Sequence, residues 1–505
     1  MPKKRALSSN PPLPGIEHII VLMFENRSFD NVLGTLYPPS ATFDGLPLDS
    51  SNTYKDLLGK QYTVTVTNTP PSGNAQNITP NPDPGESFDD MTQQIFGSGS
   101  VANMSGFAQS YYDVLGANAG DIMFYFTPDQ MPVSSYLASN FAVCDQWFAS
   151  GPVQTFPNRM FCHCGTPGFY TDLFGNVQAL LNDIDYITDL FGSGVEKFAG
   201  KVTDTSIFQL LDGTGGPNEA NWKVYFHDWP MSVLNSYVND AWYASSPCVA
   251  SYDDSDYDPP YGTSTFFDDV ANDSLPGYAF IEPRFFDNYS GSGLPSNSNH
   301  PGSANYPPIG SPPIDVCDGE VLLAMVYGTL CLFPDVFNKT LLIVTYDEHG
   351  GVYDHVPPNS SPFATTAVSP FTKAATNFNY NRFGVRVPTF FVNPNIPANT
   401  IYRPAQPSSG AYYPCDHTTI IATLREQFGL GETLTPRDAA APWLTGLIST
   451  TNTPRPIETL QLPASLKDWI DSQPKRAGQP GPRLAPAEHE QRMIEITKRK
   501  AQRRR

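Results

Sequence analysis

Basic residues, cysteines and long apolar runs are all scarce in this chain of 505 residues. Lys and Arg number 30 against 50 Asp and Glu, a formal charge of −20. A body of that sign repels nucleic acid and anionic lipid unless its charge is segregated. The basic clusters sit at the ends, Lys3-Lys4-Arg5 and Lys498 to Arg505, and read as solvated tails, with a peripheral membrane contact or a nucleic-acid tether as the alternative. The 7 cysteines (Cys144, Cys162, Cys164, Cys248, Cys317, Cys331 and Cys415) are too sparse for a disulfide framework, and their number is odd. Cys162-His163-Cys164 lacks the spacing of a zinc knuckle. No stretch approaches the ~20 apolar residues of a membrane span. The opening MPKKRALSSNPPLPG has no apolar segment of the signal-peptide kind. The expectation is a cytoplasmic protein, or one exported and then trimmed.

What is present is enough hydrophobic material for a large core: 40% of residues, 12% aromatic. The 50 prolines and 38 glycines are scattered, which predicts many ordered loops on a rigid scaffold. Ile16 to Phe24 (IEHIIVLMF) and Thr340 to Tyr346 (TLLIVTY) are continuous apolar runs, the mark of strands buried on both faces. Val387 to Val392 predicts a third strand. Helical spacing occurs from Pro132 to Phe148, from about Asn158, over Val321 to Cys331 and over Thr418 to Phe428. Alternating buried strands and helices predict one α/β domain over 16–450, with a flexible lead at 1–15 and a Pro-rich, then basic, tail at 451–505.

Both long strands end abruptly in acids, Glu25-Asn26 and Asp347-Glu348. If the strands are parallel neighbours, three carboxylates and an amide oxygen meet at the sheet edge where α/β proteins bind ligands. Like charges so close need a cation between them, and oxygen donors favour Mg²⁺, Ca²⁺ or Mn²⁺, with Zn²⁺ also allowed. For either strand end alone, a helix-capping acid explains the residue as well. Gly151 to Arg159 (GPVQTFPNR) adds Thr155 in a turn before a helix. A metal-activated nucleophile and a simple N-cap threonine both fit that position. In DEHGGVYDHVPP, Gly350-Gly351 allow a sharp turn that folds Asp354-His355 back toward Asp347 and Glu348. A second Asp-His pair stands at Asp416-His417, and His300 precedes a proline. Among 8 histidines in the chain, two such pairs near strand ends point to ligand, phosphate-binding or proton-transfer duty.

The segments IEHIIVLMFENRSFDNVLG, LASNFAVCDQWFASGPVQTFPNRMFCHCGT and TLLIVTYDEHGGVYDHVPP, in that order, resemble three long motifs of one phosphoesterase family. It includes bacterial phospholipases C, plant non-specific phospholipases C and certain acid phosphatases. GVRVPTFFVNP and YPCDHTTIIATLREQFGL are similar to its closing segments, so the likeness runs from Ile16 to about Leu430. The resemblance implies an alkaline-phosphatase-like fold: a central, mostly parallel sheet flanked by helices, with long loop insertions. It implies a divalent metal ion held by Glu25, Asn26, Thr155, Asp347 and Glu348, and hydrolysis through a phosphorylated Thr155. Asn158 would contact the phosphate. His300, Asp354 and His355 would complete the phosphate site or assist the leaving group, with Asp416 and His417 behind them.

One departure stands out. PDPGESFDDMTQQIFG, beginning at Pro82, is similar to a family segment that usually carries His after PDPG, and here that residue is Glu86. Asn31 also stands where His is common. The expected activity is phospholipase C-type cleavage of phospholipids. The alternatives are an acid phosphatase acting on small soluble phosphates, or a phospholipid- or phosphate-binding protein that Glu86 has deprived of turnover. The aromatic pairs and triplet Tyr111-Tyr112, Phe124-Tyr125-Phe126 and Phe285-Phe286 are candidates for an apolar rim around acyl chains.

Overall fold

The computed structural model describes residues 7–69, 80, 83–116, 119–171, 175, 177–180, 199–213, 221–228, 230–252, 264–285, 296–301, 316–359, 378–405, 413–448 and 453–472. Apolar runs become strands where every residue is buried: β1 is His18–Phe24 and β6 is Thr340–Tyr346, each buried along its whole length. The rest of the main sheet is β2 (Ala142–Val143), β3 (Trp222–Phe226), β4 (Val249–Ser251), β5 (Tyr278–Ile281), β7 (Phe390–Val392) and β8 (Thr400–Ile401).

The sheet order is β8-β2-β7-β6-β1-β5-β3-β4. β4, β3, β5, β1 and β6 run parallel, β7 is antiparallel to both β6 and β2, and β8 is parallel to β2. A mostly parallel sheet has both faces covered, so its strands are apolar on both sides. The third expected strand is shorter than its apolar run: pairing begins at Phe390, because Pro388 has no N–H to give a ladder.

The helices that matter for the site are α1 (Pro132–Asn140), α2 (Thr155–Cys164), α3 (Cys317–Leu332) and α4 (Thr418–Phe428). α1 packs on α3, and α2 on α4. α1 has no side-chain cap of its own. Its first-turn N–H groups are satisfied by Glu320 of α3, which accepts from Val133 N at 2.6 Å. α2 is buried on every side, and Gly165 at φ 71 ends it.

Within the expected lead, Leu13 is fully buried and the Gln427 amide donates to its carbonyl at 3.0 Å. Past 450, Ile457, Leu460, Leu462 and Leu466 join the main core. The basic clusters at both ends lie outside the described residues.

Candidate functional site

The register of β1 against β6 pairs Phe24 with Tyr346, so the residues that follow, Glu25 and Asp347, leave the sheet side by side. The ladder's last step is Asp347 N donating to Phe24 O at 3.2 Å. Asn26 then turns with φ 59, a left-handed conformation that Asn tolerates better than most side chains. Its N–H donates to Asp347 Oδ1 at 3.2 Å and its Nδ2 to Glu86 Oε1 at 2.6 Å. Spending Nδ2 on a carboxylate leaves Oδ1 toward Thr155, whose hydroxyl donates to it at 3.3 Å. On the other strand, Gly350 and Gly351 are both left-handed, at φ 63 and 65. A Cβ on Gly350 would come within 2.2 Å of Asn26 O. Two glycines are what let the loops after β1 and β6 lie this close.

Thr155 is the first helical residue of α2, not its cap. The N-cap is Gln154, and no side chain caps the helix. The capping explanation therefore fails, and the Thr155 hydroxyl faces Asn26 at the N-terminal end of α2. Four residues on, and so on the same helical face, lies Arg159. It is fully buried, donates from Nε to Asp347 Oδ2 at 3.0 Å, and reaches Met23 O and Phe24 O at 3.2 and 3.4 Å. Asn158, expected at the phosphate, has its amide turned onto the preceding loop. Its Nδ2 donates to the carbonyls of Gly151, Val153 and Gln154, and its Oδ1 accepts from Gly151 N. It fixes the turn that presents Thr155.

Glu86 borders Asn26, and His300 borders Glu86, with His300 Nε2 3.9 Å from Glu86 Oε1 and Nδ1 3.7 Å from Asp83 Oδ1. Asp83, Glu86 and His300 form a group whose ligand atoms all lie within 4.8 Å of one another. Burial holds the carboxyls of Glu25, Asp83, Glu86, Asp347 and Glu348 above their ordinary range, and repulsion adds to it for the three glutamates. For Glu25 and Glu348 the repelling neighbour is Asp347, and for Glu86 it is Asp83 and then Glu348. Burial also raises Asp347 and Asp83, each partly offset by an arginine, Arg159 and Arg27 respectively. Glu348 is fully buried. Its Oε2 accepts from Gly350 N at 2.7 Å, whereas its Oε1 has no hydrogen-bond partner among the described residues. A buried, unpaired carboxylate oxygen among other carboxylates fits a hard divalent cation, so Glu25, Asn26, Thr155, Asp347 and Glu348 suit one chemically.

The two Asp-His pairs have different surroundings. Asp354 is clamped by Arg386 (Nε to Oδ1 3.0 Å) and accepts from Asp30 N. His355 bonds Asp30 through Nδ1 at 2.7 Å and Asp44 through Nε2 at 3.3 Å. The glycine turn does fold this pair back, but onto Asp30 and Arg386 rather than onto Asp347. His417 reaches the site through the backbone. Its Nε2–H donates to Asp347 O at 2.6 Å and Trp147 Nε1–H donates to its Nδ1 at 3.4 Å. Burial pushes the ring down to about 4, so it is neutral. Asp416 accepts from Ser150 Oγ and pairs with Arg437. Asn31 donates to Phe124 O.

Of the described aromatics expected at a rim, only Tyr112 and Tyr125 are half-buried. Tyr111, Phe124, Phe126 and Phe285 are core residues, exposed by 4% or less, because aromatic area is more stabilising inside than at a rim. Phe286 lies outside the described residues.

Two further residues belong to the site. Arg159 could have been found from its i, i+4 spacing to Thr155. Glu282 follows the apolar YAFI of β5, the same strand-then-acid signature as Glu25 and Asp347. Burial raises it to about 7, with Arg159 opposing.

Comparison with known proteins matches the model of the phosphoesterase family over residues 16–431. The chain belongs to the phosphoesterase family. It is 33% identical over 473 residues to non-specific phospholipase C4 of Arabidopsis thaliana, covering 90% of this chain and 75% of that one. Phospholipase C B of Mycobacterium tuberculosis is 28% identical over 383 residues, with 70% and 63% covered. Among solved structures, a protein in the alkaline phosphatase superfamily from Vibrio parahaemolyticus aligns at a TM-score of 0.33 and 12% identity, with 87% and 72% covered. As a member of this family the protein is a phosphoric ester hydrolase.

Proposed function

We propose that this phosphoesterase is a metal-dependent phospholipase C that cleaves phospholipids through a phosphorylated Thr155. The observation that carries the reading is the Thr155 hydroxyl, at the head of a buried helix and 3.3 Å from Asn26 Oδ1, beside the carboxylates of Glu25, Asp347 and Glu348. A divalent cation on these oxygens supplies the charge that makes the hydroxyl acidic and offsets the phosphoryl oxygens. Asn26 orients the Thr155 Oγ. That oxygen forms a bond to phosphorus while the bond to the leaving alkoxide breaks, and the alkoxide departs as the alcohol after taking a proton. Water then attacks the phosphothreonine, restoring the hydroxyl and releasing the phosphorylated head group. Arg159 keeps Asp347 in place, and the N–H groups opening α2 are aimed at phosphate charge. Asp354 and His355 act from further back, fixing the 353–356 loop on Asp30.

The phospholipid assignment draws on the relatives named as phospholipases C and on Leu57 and Leu58, 93% and 94% exposed, apolar groups that a lipid surface would cover. A phosphatase acting on soluble esters would use the same groups. The test is hydrolysis of p-nitrophenyl phosphate, p-nitrophenylphosphorylcholine and phosphatidylcholine vesicles, with and without chelator, by wild type, Thr155→Ala and Thr155→Ser. Chelator-sensitive release of diacylglycerol, lost at least 10³-fold in Thr155→Ala and partly kept in Thr155→Ser, is expected for a nucleophile of this kind. Turnover of p-nitrophenyl phosphate alone would move the assignment to a phosphatase. Chelator-insensitive release, or full activity in Thr155→Ala, would remove the mechanism.

A further inference from the structure

Exposed apolar side chains concentrate in one part of this protein. Of the eight large ones among the described residues, Leu48, Leu57, Leu58, Val101 and Val114 all fall between positions 48 and 114. Leu57 and Leu58 stand at the tip of a hairpin whose strands are Ser51–Lys55 and Gln61–Thr65. Two adjacent leucines held clear of the body keep in water apolar area that folding normally removes, so a surface that covers them is favoured.

The turn is built to hold them out. Asp56 N donates to Lys60 O, Leu57 N to the Tyr112 hydroxyl, and Gly59 N to Asp56 O. Leu58 N and Lys60 N both donate to Asp56 Oδ1 at 2.9 Å, and the Tyr62 hydroxyl donates to Oδ2 at 3.1 Å. Every N–H from 56 to 60 therefore has a partner inside the protein, which a backbone entering an apolar layer requires.

Charge decides which surface fits. From position 6 to 158 the only Lys and Arg residues are Arg27, which is fully buried, and Lys55 and Lys60, exposed on either side of the two leucines. Lys55 and Lys60 against Asp56 leave the tip positive within a chain of net charge −20. At physiological salt a charged surface is felt only within ~8 Å, so the tip's own charge governs its contact. Behind the lysines, Tyr62, Tyr54 and Tyr112 stack with 5.1 and 4.9 Å between successive ring centroids. Leucine at the tip, lysine beside it and tyrosine behind match the acyl chains, phosphates and interfacial layer of a lipid surface. A specific protein partner would bury about 800 Å² on each side. Two side chains on a convex tip fall well short of that, whereas a fluid surface needs no matching hollow.

The hairpin is fastened to the layer that borders the site. Lys55 N donates to Gln109 Oε1 at 2.7 Å and Gln109 Nε2 donates back to Lys55 O at 3.3 Å. Gln109 lies on the helix Phe107–Leu115, which sets Phe107 edge-on to His349 and Tyr353 in the loop after β6. We propose that Leu57 and Leu58, with Lys55 and Lys60, are a docking element that inserts into the surface of a phospholipid bilayer. On the phospholipase reading above, on which this rests, the docked tip holds the site against the lipid it consumes.

Vesicle binding is measured by co-sedimentation with phosphatidylcholine–phosphatidylserine vesicles, in a Thr155→Ala background so that lipid is not consumed. Leu57→Ser with Leu58→Ser should lower the partition coefficient by roughly 10-fold or more, and Lys55→Gln with Lys60→Gln by roughly 5-fold for each lysine. With Thr155 intact, the leucine variant should turn over p-nitrophenylphosphorylcholine within twofold of wild type, yet lose roughly 10-fold or more on vesicles. Equal vesicle binding by the leucine variant, or none by the background protein, would overturn the docking element. So would self-association in sedimentation velocity that the leucine variant loses while its vesicle binding stays, which puts a second copy on the tip. Tip-dependent binding without release of diacylglycerol by wild type would uphold the docking element and remove the phospholipase reading. Release from vesicles that is indifferent to the tip would do the reverse.

Discussion

Replacing Gly350 with Ala tests whether the two strand-end loops are held at a fixed separation. Gly350 has φ 63, and a Cβ there would sit 2.2 Å from Asn26 O and 2.9 Å from Asn26 Cβ. Carbon contacts are comfortable at ~3.5–4 Å, so one of the two loops must yield by about 1 Å or more. The yielding residue is Asn26, already left-handed at φ 59 and bonded to Asp347, Glu86 and Thr155. Left-handed backbone costs an alanine ~1–2 kcal/mol. A displacement of about 1 Å in a positioning group costs on the order of 10²-fold in rate. Gly59→Ala is the control. It has φ 82 with nothing within 4 Å of the added Cβ, so it carries the strain without the contact. Urea unfolding should show both variants losing stability, Gly350→Ala the more. In steady-state assays on the better nitrophenyl ester, only Gly350→Ala should lose about 100-fold in kcat/KM. A kcat/KM for Gly350→Ala within threefold of wild type, or an equal loss in Gly59→Ala, would refute the reasoning.

Arg159→Met removes the cation from a fully buried pair with Asp347 and takes away its hydrogen bonds to the Met23 and Phe24 carbonyls. Breaking such a pair costs ~3–5 kcal/mol. Spread over the roughly 360 described residues at ~2.1 cal/mol/K each, that is a fall of about 4–7 °C in Tm by calorimetry. Chelator-treated protein should fall further than metal-loaded protein, and a fall below 1 °C in both would count against the pair. His355 gives a pH signature. Burial alone lowers its pKa, but hydrogen bonds to Asp30 and Asp44 and the charges of Asp30 and Asp354 outweigh that and raise it to about 10, with Arg386 beside them. A raised histidine contributes stability fully below the unfolded value of about 6.5 and loses it as pH climbs to about 10. The urea-midpoint gap between wild type and His355→Gln should therefore shrink across that interval, and a constant gap would sink the assignment.

Sequence pattern located those parts of the site that sit on regular structure. β6 begins and ends where its apolar run does, and α4 likewise, because continuous burial leaves no freedom in the boundary. Glu25, Asn26, Asp347 and Glu348 were legible because strand ends in a parallel sheet converge whatever the loops do. Glu282 obeys the same rule, but the apolar run before it, YAFI, is only four residues long and does not stand out as a strand. Where loops decide, local pattern misleads. Asp354 and His355 follow a double-glycine turn that could fold either way. Arg386, from a segment some thirty residues on, settles the direction by neutralising Asp354 and Asp30 together. No spacing within the DEHGG segment carries that information.

Asn158 shows the same limit inside a helix. An amide one turn into a helix whose first residue is the proposed nucleophile can face either the ligand or the loop behind it, and the sequence of α2 is compatible with both. The loop wins because Gly151, Val153 and Gln154 offer three carbonyls and an N–H at 2.6 to 3.2 Å, a set that uses both ends of the amide at once. A buried amide left half-satisfied costs more than a phosphate contact made only when substrate is present would return. Arg159, one residue further on, can neither deprotonate nor stay buried unpaired, so it takes the carboxylate of Asp347 instead. On the proposed mechanism the helix presents one group to the substrate, Thr155, and its next turn holds that group and its neighbours still.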